Sequence, residues 1–126
     1  MPTLNEASPF PHAALGHGAT PNVFGSPLEL IASAARDATW AIFLARAIST
    51  FGATQDFEIS IGEIGSEVPI VSDFTKMKIG DGGDYNDSFA VLCFPMKVSQ
   101  GDRVSIRVKS DASFGVNYEV QLRLFE

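Results

Sequence analysis

Phe94-Pro-Met-Lys-Val-Ser-Gln-Gly-Asp-Arg-Val-Ser-Ile-Arg-Val-Lys-Ser110 reads as strand, turn and strand. Proline has no amide donor for a ladder, so Pro95 gives the first strand an edge-like character. Gln100-Gly101-Asp102 has the residue types of a tight turn. Beyond it Val104, Ile106 and Val108 alternate with polar residues, the period of a half-buried strand. The same grammar recurs at Ile59-Ser-Ile-Gly-Glu-Ile-Gly-Ser-Glu-Val-Pro-Ile-Val71, with the turn at Gly65-Ser66. Repeated strand-turn-strand units are the signature of an antiparallel sandwich.

The pattern extends in both directions. Gln55–Gly62 places Phe57, Ile59 and Ile61 on one face and Asp56, Glu58 and Ser60 on the other, where water is expected. Val116, Tyr118, Val120, Leu122 and Leu124 define an inward face near the C-terminus. From Ser26 onward Leu28, Leu30 and Ala32 alternate with Glu29, Ile31 and Ser33. Thr39–Ile48 could form a helix, but Trp40, Ile42, Phe43 and Ile48 favour a strand. Phe74–Ile79 is a short strand and Ser88–Val98 is the longest apolar run. About eight strands at short spacing, with no convincing helix, predict an all-β fold: an eight-stranded antiparallel jelly-roll sandwich. An immunoglobulin-like sandwich is the alternative.

Residues 1–27 are different and are expected to form an extended N-terminal arm, with the sandwich occupying 28–126. Five of the 7 prolines lie there, with both histidines and a single charged residue, Glu6. Leu4, Phe10, Leu15, Val23 and Phe24 are spaced along it as apolar anchors for a partner. Deleting residues 1–25 is expected to leave the sandwich folded and to abolish binding to that partner.

The whole chain has 126 residues, 45% hydrophobic and only 19% charged, enough for one domain with its own core. The net charge of −6 argues against nucleic acid as a partner. Met1-Pro-Thr-Leu-Asn-Glu lacks the features of a signal peptide, and no apolar run is long enough to span a bilayer, so a soluble protein with no membrane partner is expected. Phe89–Met96 and Trp40–Ile48 are apolar on both faces, although a sandwich strand normally shows one face to water. Trp40, Phe43, Phe89, Phe94 and Met96 are therefore the expected oligomer face. A local patch of ordinary exposed apolar residues is the alternative.

No catalytic constellation emerges, and the chain is not expected to be an enzyme or to hold a cofactor. His12 and His17 are the only histidines, and their spacing is not that of a zinc site. Cys93 sits mid-strand, where a thiol acts as a small buried hydrophobe. Asp81, Asp84, Asn86 and Asp87 could hold calcium, but their spacing differs from a calcium-hand loop and a solvated turn accounts for them. Glu58, Glu63 and Glu67 show no convergence into a glycosidase pair, and surface solubility accounts for them. Arg103, Arg107 and Lys109 share one strand face that could meet an acidic partner or simply be solvated. Gly80, Gly82 and Gly83 lack the lysine and helix of a phosphate loop. Tyr85, Tyr118 and Trp40 are the aromatic candidates for a sugar site.

Ile61-Gly-Glu-Ile-Gly-Ser-Glu67 and the Phe94–Ser110 stretch resemble segments of small jelly-roll virion proteins of tailed bacteriophages. The resemblance covers roughly the C-terminal two-thirds of the chain and departs from the group's pattern at Gln100 and Asp102. It implies a virion location after synthesis in the host cytoplasm. It further implies a capsid decoration or cement protein that binds the major capsid protein and associates with itself, as a trimer. A tail or head-fibre component, or a receptor- or carbohydrate-binding module, is the alternative.

Overall fold

The computed structural model describes residues 3–8, 15–16, 22–47, 53–72, 77–79, 90–111 and 117–126. The ten strands in this set are β1 (Leu4–Ala7), β2 (Leu15–Gly16), β3 (Leu28–Ile31), β4 (Ala38–Ala47) and β5 (Ala53–Ile61), followed by β6 (Val68–Val71), β7 (Met77–Ile79), β8 (Ala90–Val98), β9 (Val104–Ser110) and β10 (Asn117–Phe125). One sheet, called A here, runs β1-β10-β4-β8, with β2 also on β10; the other, B, runs β3-β9-β5-β6, with β7 also on β5. All the pairings are antiparallel. β1 and β2 share one flank of β10, and β6 and β7 share one flank of β5. Counting each couple as one interrupted strand gives eight strands in two four-stranded sheets. Successive strands alternate between the sheets, except that β5 is followed by β6 and β7 in its own sheet, and this is the connectivity of a jelly roll.

The two stretches that announced the fold behave differently. β5 and β6 form a hairpin, with Ile61 opposite Val68. β8 and β9 do not pair; the turn between them carries the chain from sheet A to sheet B. In that turn the Asp102 amide donates to the Ser99 carbonyl (3.0 Å) and the Ser99 amide to Asp102 Oδ2 (2.8 Å). Gly101 sits at φ +90°, the third position of a type II turn, which side chains disfavour.

The core lies between the sheets. Phe43 from sheet A and Phe57 from sheet B meet edge to face at 5.1 Å between centroids, and Phe57 meets Tyr118 at 5.6 Å. Such ring pairs contribute about 0.5–1.5 kcal/mol beyond their buried area. The Tyr118 hydroxyl donates to Gln55 Oε1 at 3.0 Å, so the aromatic stack carries its own internal polar pair across the sandwich. Val104, Ile106 and Val108 on β9 and Val120, Leu122 and Leu124 on β10 face inward as their alternation predicts.

The boundary expected at residue 27 is not a boundary in the fold. Leu15 is a core residue, and β1 and β2 complete sheet A along β10. Asn22 and Gly25 donate their amides to Ser110 and Val108, so this segment runs along the flank of β9 before β3 begins. A proline-rich composition concealed these strands because they are short, lie on edges and bind through the backbone. Deleting residues 1–25 would therefore open the core, contrary to the expectation that the sandwich survives it.

Candidate interaction face

The outward surfaces of the two sheets are opposite in chemistry. On sheet B, β9 and β5 stand in register with Arg107 opposite Glu58 and Lys109 opposite Asp56. Arg107 Nε reaches Glu58 Oε1 at 2.6 Å, and Lys109 Nζ lies 3.7 Å from Asp56 Oδ2. Arg103 contacts Glu29 at 2.7 Å and Glu67 at 3.5 Å. The Phe24 ring lies under both cations, 4.1 Å from the Arg107 guanidinium carbon and 4.9 Å from Lys109 Nζ. Asp56, Glu58 and Ser60, expected to be hydrated, are buried. The basic row of β9 is thus neutralised within the chain and does not present a bare cationic strip to an acidic partner. Glu58 and Glu67, expected not to converge, line one small cleft of about 90 Å³, and each is held there by an arginine, Arg107 and Arg103 respectively.

Sheet A presents the reverse. Outward residues of β4 are Trp40, Ile42 and Leu44, and their partners on β8 are Pro95, Cys93 and Val91. On the other flank Trp40 stands opposite Phe125, which stands opposite Leu4. A wholly apolar row, Leu4–Phe125–Trp40–Pro95, therefore crosses all four strands, a width of about 14 Å at the usual strand spacing. The next rows, Arg123–Ile42–Cys93 and Gln121–Leu44–Val91, remain apolar toward β8 and turn polar on β10. The last row is the Arg46–Glu119 ion pair. Val91 is 59% exposed, Leu4 51% and Trp40 42%. Beside this face an open cleft of about 430 Å³ separates edge strands β6 and β8, lined by Ile70, Val71, Leu92 and Phe94.

The expected oligomer face needs redrawing. Trp40 belongs to it, but Phe43 and Met96 point the other way and are core residues. Phe94 also faces inward, packed partly against the core. Phe89 lies outside the described residues. Parity along the strand separates the two sets: residues 40, 42 and 44 point out, while 41, 43 and 45 point in. Cys93 is exposed, not buried as its apolar neighbours suggested. Ile42, Leu44 and Val91 were missed, and the signal that could have found them was the alternation of small Ala41 and Ala45 with large outward neighbours.

Among the expected arm anchors, Leu15 is in the core, Phe24 is half-buried against the β9 cations, and Leu4 and Val23 are exposed. Phe10 lies outside the described residues, as do His12, His17, Tyr85 and the Asp81–Asp87 loop. Tyr118 is fully buried and its pKa is raised to about 12, chiefly by desolvation, so it is not available to stack on a sugar. Among the described residues no cluster of three His, Cys, Asp or Glu side chains is placed to hold a metal ion.

No family model matches this sequence. No curated protein matches it either. A chain of the solved structure of infectious bursal disease virus, Gx strain, superposes on 98% of this chain with 10% identity and a TM-score of 0.46. This chain spans 32% of the length of that one.

Proposed function

We propose that this protein is a structural virion protein of a bacteriophage, a capsid decoration or cement protein that binds the major capsid protein lattice and acts by contact alone. The observation that carries the reading is the apolar outer face of sheet A. On sheet B the outward charges of β5 and β9 pair with one another, with Phe24 packed on the cations. Sheet A keeps Trp40, Ile42, Leu44 and Val91 outward instead, and an apolar area of this kind marks a contact with another protein. The resemblance of the Phe94–Ser110 and Ile61–Glu67 stretches to phage virion proteins supports the choice of partner.

The magnitude fits a lattice. Burying the half-exposed Leu4, Trp40 and Val91 contributes on the order of 1 kcal/mol each, about 3 kcal/mol per contact. One such contact corresponds to millimolar affinity or weaker. Many identical contacts on a shell hold firmly because each added contact is intramolecular in effect. Association of the copies, as trimers on the shell, is part of this proposal.

The test is co-sedimentation with capsids lacking the protein, beside light scattering of the free protein. The chain should pellet with the capsids. Trp40→Glu should remain folded and stay in the supernatant. Pelleting of Trp40→Glu at the native level, or no pelleting of the native chain, would overturn the proposal.

A further inference from the structure

We infer that β1 is an exchangeable strand, and that the β10 edge it covers receives residues 3–8 of a second copy of this chain. The observation is how β1 is attached. The Ser8 amide donates to the Leu122 carbonyl and the Leu122 amide to Ser8 Oγ, both at 2.9 Å. The Glu126 amide donates to the Thr3 carbonyl at 3.0 Å. Glu6 accepts from the Ala35 amide (2.8 Å) and the Asn5 amide group donates to the Asp37 carbonyl (2.7 Å). These bonds define what the β10 edge and the neighbouring residues 35–37 recognise: a short extended segment carrying Asn, Glu and a terminal Ser at fixed spacing.

Beyond these the Gln121 side-chain amide donates to the Ser8 carbonyl at 3.0 Å, and little else holds the strand. Of residues 3–8 only Ser8 is buried, and Leu4 is half exposed on the outer face. No residue of β1 belongs to the core cluster. Asn5 Oδ1 is buried without a hydrogen-bond partner, and the register slips between Leu4 and Glu6. Both weaken the docking of β1 on the β10 edge, whichever copy supplies it. Leu15, by contrast, is locked in the core and pairs with Tyr118. Release of β1 therefore leaves the sandwich closed, with Leu15 as the pivot.

Between Ala7 and Leu15 the chain advances eight residues while its partner strand moves five, from Arg123 to Tyr118. Extended from Leu15, the segment back to Ser8 reaches about 25 Å, enough to cross to a neighbouring copy. An exchanged strand makes the same bonds as an unexchanged one, so proximity of copies decides between them. Reciprocal exchange closes a ring, and head-to-tail exchange links copies in series.

The register supplies the assay. The Glu126-to-Thr3 bond brackets Leu4 and Phe125 as a non-hydrogen-bonded pair, with Cα atoms near 4.5 Å, which a disulfide spans. In a Cys93→Ser background, a Leu4→Cys chain is mixed with a Phe125→Cys chain and oxidised over a range of concentrations. The mixture should give a disulfide between the two chains. Its yield should rise with concentration and exceed at least tenfold that of a Leu4→Cys and Lys97→Cys mixture. The chain carrying both Leu4→Cys and Phe125→Cys should close on itself when dilute and cross-link between copies when concentrated. A double variant that closes only within itself at every concentration, with a mixture no better than the control, overturns the exchange. The inference does not rest on the virion reading, since Trp40→Glu should exchange strands as well as the native chain does.

Discussion

Alkaline pH should unlock the sandwich through Tyr118. The phenol is fully buried, and its pKa stands at about 12, raised mainly by desolvation and also by the nearby Asp111 charge, against 10.0 for a free tyrosine. Below pH 10 the hydroxyl is protonated in both the folded and unfolded chain, so titration has no effect on stability. Above pH 10 the unfolded chain ionises and the folded one does not. The folded state thus loses stability as pH rises through the window between 10 and about 12. At pH 11 the linkage corresponds to a tenfold shift, about 1.4 kcal/mol, and above pH 12 it levels off near 2.7 kcal/mol. Tyr118→Phe removes the titration but also the bond to Gln55 Oε1, at a cost of about 1–2 kcal/mol at neutral pH. Urea unfolding of both proteins from pH 8 to 11.5 gives the comparison. The native chain should be the more stable at pH 8, and the two should converge near pH 11. Parallel curves over the whole range would refute the reasoning, because the groups common to both chains cancel in the difference.

Three other outcomes follow from the packing. Phe43→Ala should lower the unfolding free energy by about 3–5 kcal/mol, whereas Trp40→Ala should lower it by less than about 1.5 kcal/mol, both read by urea denaturation. Equal losses would mean that the two faces of β4 are misassigned. Arg107→Ala should cost about 1–2 kcal/mol, because it leaves the buried Glu58 without its nearest cation and Phe24 without the guanidinium above it. A double-mutant cycle with Glu58→Gln should recover part of that loss, and strict additivity would count against the pair. Gly101→Ala should cost about 1 kcal/mol through its positive φ alone, since no atom lies within 4 Å of an added Cβ. An unchanged melting temperature would show that the turn relaxes.

The sandwich was legible where one strand face is apolar and the other polar. β9 and β10 alternate cleanly, and Phe57 and Ile59 fall inward as read. The burial of Asp56 and Glu58 was not legible, because it depends on which β9 residues stand opposite them. Arg107 and Lys109 match those carboxylates only once the register is known. β4 and β8 announced two apolar faces, but hydrophobicity alone could not tell which residues turn outward. Large side chains were assigned to the contact face, whereas the pleat assigns Phe43 and Met96 to the core and Ile42, Leu44 and Cys93 to the surface. β1 and β2 escaped detection because backbone bonds to β10, not a hydrophobic pattern, define them.

The position of β10 has a bearing on how the molecule is made. It follows every other described strand in sequence, yet it lies inside sheet A, between β1 and β4. While the chain is being synthesised, β4 has one unpaired flank, Phe43 and Ala45 have no neighbour from Leu122 and Val120, and β1 has no strand to join. Sheet A can close only when residues 117–125 leave the ribosome. Pairing of strands so far apart in sequence is intrinsically slow. Until then the nascent chain exposes a long apolar edge, and the first encounter of that edge with a copy made on a neighbouring ribosome competes with its own completion.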